Sequence, residues 1–149
     1  HVWRQSPFYP TGTNGFVDVR DVALFAKMQL EYNFPEVQYL LVAENRPYKW
    51  LLDQISIGLH KLAPAKAAKN WILGTAWRLD KLRTLISGKR PMLTKETAIT
   101  SQKNYYFDNH RSLLNGQFTY RPLTESISEI SAQFLEAADH GFRVSVLPL

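Results

Sequence analysis

Four sets of apolar residues recur at helical spacing, each closed by a proline or a glycine, and this pattern restricts the chain to helices joined by few, short strands. Val22, Ala23, Ala26 and Leu30 form the first face, ahead of a turn at Asn33 to Glu36 that contains Pro35. Leu51, Leu52, Ile55, Leu59 and Leu62 form the second, which starts behind Pro47 and stops at Pro64. Ile72, Ala76, Leu79, Leu82 and Ile86 predict a third helix over about 67–87, stopped by Gly88 and Pro91. Ile127, Ile130, Phe134 and Ala138 form the fourth, up to Gly141. Asp21 is placed to cap the first helix or to oppose its positive end, Thr94 to cap a short helix through about Ser101, and Asp108 or Asn109 to cap one or two turns ending near Gly116. Thr124 is the N-cap expected for the last helix, with Ser126 and Glu129 as an alternative capping box.

Strands fill the gaps. The turn formers Pro10-Thr11-Gly12-Thr13-Asn14 precede a strand expected at Gly15 to Val19, and Val37 to Val42 is rich in branched and aromatic residues. Tyr105-Tyr106-Phe107 reads as a compact strand, and the tail from Phe142 to Val146 alternates like one. The expected class is therefore mixed α and β with helix dominant. At 149 residues, 45% hydrophobic and 21% charged, the chain fits one globular domain and excludes collagen-like or largely disordered states. It has no cysteine, which excludes disulfides, thiolate zinc sites and Cys nucleophiles and leaves the redox compartment open, with the cytoplasm as the expected location. No apolar run nears the roughly 18 residues of a membrane span, and the opening His1-Val2-Trp3-Arg4-Gln5 has no signal-peptide layout, as expected of a piece of something longer.

Charge is uneven. The net value is +5, yet Lys61 to Lys103 carries ten basic residues against Asp80 and Glu96, leaving the remainder at −3. Such a segment reads first as a solvated helix face; the alternative is a stand-alone binding module that sets it against nucleic acid or an anionic membrane. Trp71 and Trp77 interleave with Lys69, Arg78 and Lys81, but six residues on a helix puts the rings on different faces, so they make core or pocket wall rather than one stacking surface. His1, His60, His110 and His140 lack the i, i+4 partners of a metal site, and no metal is expected. There is no Gly-x-Ser-x-Gly elbow. Gly12-Thr13-Asn14-Gly15 precedes a strand rather than linking strand to helix, so it reads as a turn and not a phosphate cradle.

Three stretches, in order, match the motifs of one enzyme family. Phe8-Tyr9-Pro10-Thr11-Gly12-Thr13-Asn14-Gly15-Phe16-Val17-Asp18-Val19-Arg20-Asp21-Val22-Ala23 is similar to that family's "G-x-x-G-F-V-D-V-x-D-V-A" element. Arg90 to Glu96 followed by Tyr106-Phe107-Asp108-Asn109 is similar to its late substrate-lobe helix and "Y-x-N/D-x-x-K" strand. Phe118-Thr119-Tyr120-Arg121-Pro122-Leu123-Thr124-Glu125-Ser126-Ile127 is similar to its closing "F-x-F-R-P-x-x-E-S-I" element. Together they resemble the NAD(P)-dependent epimerase/dehydratases, the extended short-chain dehydrogenase/reductases, and the first and third are the more specific.

The resemblance implies the C-terminal part of a Rossmann-type NAD(P)-binding fold with a small, mostly helical substrate-binding lobe over residues 1–141, and an unassigned tail over 142–149. It implies an oxidoreductase, epimerase or dehydratase as parent, with NAD or NADP bound there and not tightly by this chain. The Gly-x-x-Gly-x-x-Gly turn and the Tyr-x-x-x-Lys pair, in which Lys lowers the pKa of the proton-transferring Tyr, are both missing, so no catalytic or cofactor-binding residue is expected here. Asn14 stands where nucleotide-sugar members carry a phosphate-binding Arg, which turns the expectation toward a small carbonyl or hydroxyl substrate on the dihydroflavonol-reductase and hydroxysteroid-dehydrogenase side. Asn115-Gly116-Gln117 departs from the usual Leu-Gly and alters a turn. Asn14 and Phe16, then Trp3 and Trp71, are the expected substrate contacts, while Asp18 and Asp21 are expected to be structural. The expected partners are the missing N-terminal Rossmann half and the substrate. Nucleic acid is not expected, and the isolated piece is expected to self-associate through uncovered helix faces and strand edges.

Overall fold

The structure, a computed structural model, describes Val2 and residues 7–32, 38–68 and 99–140. Its described elements are β1 (Phe8–Tyr9), β2 (Thr13–Phe16), α1 (Val19–Glu31), β3 (Glu44–Pro47), α2 (Tyr48–Gly58), β4 (Lys66–Ala67), a 3-10 helix (His110–Gly116) and α3 (Leu123–Asp139). The described residues form a small mixed α/β domain with two two-stranded sheets. β1 and β4 pair in parallel, Phe8 with Lys66, and β2 and β3 pair antiparallel, from Thr13 with Pro47 to Phe16 with Glu44.

β2 starts two residues earlier than expected, because Gly12 lets the backbone press against the 101–103 segment. Its amide donates to Ser101 O at 3.0 Å, and a Cβ there would collide with the Ser101 and Lys103 carbonyls. Thr13 then forms a parallel bridge with Asn104 on one side while pairing with Pro47 on the other. Beyond that bridge Tyr105 to Phe107 is not a strand. Instead the Asn45 side chain accepts from the Phe107 amide at 3.0 Å and donates to its carbonyl at 2.9 Å. The expected strand over 37–42 is also absent from its described part, 38–42, and the pairing falls on Glu44–Pro47. The branched and aromatic side chains there serve packing: Tyr39 lies 5.1 Å from the Phe25 ring, and Val42 is buried beside Gly15.

α1 is capped by Asp18, whose carboxylate accepts from the Arg20 amide at 2.8 Å, so Asp21 is not the cap but lies in the first turn, where it opposes the positive helix end, the other role expected of it. Its buried face is Asp21 and Phe25, not the Val22, Ala23, Ala26, Leu30 face, of which Leu30 is 90% exposed. Phe25 is instead the hub of an aromatic core, edge-on to Phe118 at 5.2 Å, with Phe118 edge-on to Tyr120. Burial of a side chain this size contributes roughly 1.5–3 kcal/mol.

α2 packs on α3 where Gly58 meets Ser131, a contact so close that a Cβ at 58 would sit 2.6 Å from that of Ser131. α2 ends at Gly58 rather than at Pro64, and Leu62 lies outside it, 81% exposed. The stop is a Schellman turn: Lys61 donates to Ser56 O, His60 donates to Ile57 O, and His60 takes a left-handed φ of 53°. β4 occupies the start expected for the third helix, whose remainder over 69–87 lies outside the described residues. The tail strand at 142–146 and the turn at 33–36 lie outside them too.

The 3-10 helix matches the expected short turns, with Asp108 Oδ1 accepting from the His110 amide and Gly116 ending it at a φ of 90°. α3 is not capped by Thr124 or by a Ser126–Glu129 box. Pro122 precedes it, and the Leu123 amide donates to Glu44 Oε1 at 3.2 Å, so a carboxylate from β3 meets the positive helix end. Its buried face is Leu123, Ser126, Ile127 and Ser131, and Ile130 is 56% exposed.

A left-handed backbone strains a residue with a Cβ, so His60→Gly, at an exposed position, is expected to stabilise the protein by about 0.5–1 kcal/mol. A urea titration with an unchanged slope and a raised midpoint checks this.

Candidate functional site

Asn14 and Phe16 alternate along β2, and α2 begins directly beyond the paired end of β3, so the first residue of α2 falls beside both. Asn14 Nδ2 donates to the Tyr48 hydroxyl at 2.9 Å while its Oδ1 accepts from the Gly15 amide at 2.9 Å. Phe16 meets the Tyr48 ring edge-on, with centroids 5.9 Å apart at 83°. All three side chains are half-buried. The structure thus brings two of the expected contacts together around Tyr48, a residue the motif comparison passed over; its signal was the aromatic pair Tyr48 and Trp50 behind the helix-starting Pro47. Trp3 and Trp71 lie outside the described residues.

Cations border this cluster, each held by a carboxylate. Arg46 stacks over the Trp50 ring at 4.8 Å and donates to Glu44, the same carboxylate that meets the start of α3. Lys49 lies 5.4 Å from the Tyr9 ring centroid and donates to both oxygens of Asp53. The arrangement suits a ligand with a flat apolar body and neutral polar groups, which an amide and a phenol can orient. Away from this cluster, a hollow of about 600 Å³ is lined by Gln38, Tyr39, Leu40, Asp108 and Arg111.

The stretches resembling the family's first and last elements interlock. Asp21 Oδ2 accepts from the Arg121 amide at 2.9 Å, across 100 residues, and the Phe25 and Phe118 rings join the same two segments. Asp18 is held by Arg20 through its Nε and NH2 groups and also bonds Ser126, while Arg20 and Arg121 both reach Glu129. Asn109, in the middle stretch, donates to Val42 O at 2.6 Å. Asp18 and Asp21 are therefore structural, as expected.

Proton transfer needs a group poised near the working pH, and the perturbed groups here move away from it. The Arg20 guanidinium, then Ser126, hold the Asp18 carboxyl well below the usual carboxylate range despite its burial. Asp18 and Glu129 push Arg20 upward, and burial raises Tyr120. Tyr120 donates to Ser112 Oγ at 2.6 Å, and Ser112, fully buried, donates to Asn109 O, so that hydroxyl is committed to structure rather than to attack. Among the described residues no three His, Asp or Glu side chains gather as a metal site, and no helix is long and apolar enough to cross a membrane.

The glycine-containing segment also fails as a seat for a dinucleotide phosphate. The Gly12 and Thr13 amides donate to Ser101 and Lys103 carbonyls, and the Gly15 amide to Asn14. The space above Gly15 is filled by Phe107 and Val42. Thr13 to Phe16 is strand rather than the expected turn, and its amides do not converge on an anion.

No family model matches the chain, and no curated protein matches it. Among solved structures it is similar to one described as "Crystal structure of gox2253", with a TM-score of 0.64 and 24% identity over 89% of this chain. The likeness is one of fold. The chain spans 40% of the length of that protein.

Asp18 has a depressed folded pKa, so its contribution to stability is complete above its unfolded value of about 3.9 and is lost as pH falls below it. Since Arg20 is 41% exposed and water screens the pair, Asp18→Asn is expected to cost about 1 kcal/mol at pH 7. The difference from wild type should shrink in urea titrations repeated from pH 5 down to pH 2.

Proposed function

We propose that this chain is the substrate-binding portion of an NAD(P)-dependent epimerase/dehydratase or reductase of the extended short-chain type, acting on a small carbonyl or hydroxyl compound. In this reading it supplies the C-terminal part of a Rossmann-type fold. The nicotinamide cofactor and the Tyr-x-x-x-Lys pair belong to a parent polypeptide. The observation that carries the reading is the interlock of the two most specific motif stretches through the Asp21 carboxylate and the Arg121 amide. Residues that resemble a family at both ends of a chain, and that need one another to satisfy buried polar groups, form one unit rather than two chance matches.

Three further features support it. The fold likeness extends over nearly all of this chain and less than half of a longer one. The committed amides of Gly12, Thr13 and Gly15 agree with a cofactor seated elsewhere in the parent. The Asn14 amide and Tyr48 hydroxyl are neutral, and Arg46 and Lys49 are each engaged by a carboxylate, which favours a carbonyl or hydroxyl compound over a sugar diphosphate. Asn14, Phe16 and Tyr48 would wall the substrate and orient its polar group; hydride and proton transfer fall to groups outside the chain.

The 149-residue chain should neither quench or enhance NADH fluorescence nor turn over any nicotinamide-dependent substrate, while the parent should do both. In the parent, Asn14→Ala should raise KM about tenfold with kcat within a factor of two, the loss expected for one neutral hydrogen bond to bound substrate. Turnover by the isolated chain, or an upstream reading frame without the glycine turn and the Tyr-x-x-x-Lys pair, would overturn the reading.

A further inference from the structure

We propose that Arg46 is a specificity-determining residue of the site around Asn14, where it donates to the oxygen of a neutral carbonyl or hydroxyl substrate. Glu44 and Trp50 are its positioning residues, and Glu44 also cancels the charge that would admit an anion. The inference deepens the function proposed above and rests on it. Arg46 is the residue paired with Asn14 across β2 and β3, and Glu44 is paired with Phe16. Residues directly opposite share one face of a sheet, with Cβ atoms about 5 Å apart. All four side chains therefore belong to the face on which Asn14 and Phe16 meet Tyr48. An arginine does stand beside Asn14, supplied by the neighbouring strand.

Its surroundings make it a reader of ligand rather than a loose surface charge. The Arg46 Nε and NH2 groups both lie 2.6 Å from Glu44 Oε2, and the central guanidinium carbon lies over the Trp50 ring, 4.8 Å from its centroid. Glu44 is itself fixed, because its other oxygen accepts from the Leu123 amide. The guanidinium is thus oriented before any ligand arrives, which lowers the freedom lost on binding. Its NH1 group and the second NH2 hydrogen take no part in these contacts, and they form the fork that can meet an oxygen acceptor. The side chain is 45% exposed, so a solute can reach it.

Charge decides which acceptor is taken. Arg46, Lys49 and the free amides at the start of α2 would together attract an anion. Glu44 faces Arg46, and both oxygens of Asp53 face Lys49, which brings the balance of these four side chains to zero. An incoming carboxylate at Arg46 would lie beside Glu44 and bear the like-charge cost, whereas a carbonyl oxygen takes the same hydrogen bonds without it.

The test titrates the 149-residue chain with benzamide and with benzoate, flat rings of nearly one shape that differ in charge, and follows the backbone amide signals of Asn14, Arg46 and Tyr48 by NMR. Benzamide should bind about tenfold more tightly than benzoate. Arg46→Met should abolish the benzamide response, and Arg46→Lys, which keeps the charge without the fork, should not restore it. Glu44→Gln keeps an acceptor for the Leu123 amide and loses the negative charge, so it should bind benzoate about tenfold more tightly than the natural chain does. The Arg46 variants change an exposed side chain and test the fork even where Glu44→Gln disturbs the start of α3. Failure of benzamide to bind, equal affinity for the two probes, or full benzamide binding by Arg46→Met would overturn the role of Arg46 and leave the parent's nicotinamide chemistry standing. Unchanged benzoate affinity in a folded Glu44→Gln variant would overturn the role of Glu44. A parent without nicotinamide chemistry would remove the proposed function and leave the probe preference in place.

Discussion

Asp18 and Asp21 stand at the start of one helix; Asp18 takes its donors mainly from Arg20 in the first turn of that helix, and Asp21 takes one from Arg121, just ahead of another helix. A carboxylate removed from water costs several kcal/mol unless it is fully bonded, and both of these are only 4% exposed. Arg20 and Ser126 satisfy the first, and the Arg121 amide satisfies the second. Where α3 begins is thereby set by α1. That position in turn presents the Leu123 amide to Glu44, Glu44 holds Arg46, and Arg46 covers Trp50. The contacts that start at Asp21 thus reach β3 and the first turn of α2, where the pairing of β2 with β3 sets Tyr48 beside Asn14.

The parts legible in the sequence are those fixed by neighbours in the chain. Asp108 capping a short helix that Gly116 ends is a matter of a few residues, and it appears as expected. α1, α2 and α3 are where periodicity puts them, and α3 buries Ile127 and stops just before Gly141 as expected, but the buried face of α1 and the end of α2 differ. Periodicity reports an apolar face and is silent about which partner covers it, so α1 presents Leu30 to solvent and keeps Phe25. Glu44 as the acceptor for α3 and Asn45 as the partner of Phe107 join residues 79 and 62 apart, and no local rule reports such contacts. The run at 38–42 shows the same ambiguity: branched and aromatic residues signal burial, and Tyr39 against Phe25 uses that burial without a ladder.

At the candidate site the sequence supplied Asn14 and Phe16 through resemblance, and the structure adds Tyr48 by proximity. The glycines that invite comparison with a phosphate loop have a different physical reason. Gly12 and Gly15 are small because the 101–103 backbone and the side chains of Val42 and Phe107 press on them. Close packing around β2 leaves a surface of neutral donors and rings, rigid in the amide that matters most, since both ends of Asn14 are bonded.

The side chain of Asn45 has a bearing on how this protein behaves at high concentration. By giving Phe107 both a donor and an acceptor, it completes one rung of a ladder with an amide that has no next residue to continue it. An incoming strand from another molecule would have to displace that amide before it could zip along 105–107. The protein thus ends its own hydrogen-bonding register from within, a stop against runaway polymer growth along that border.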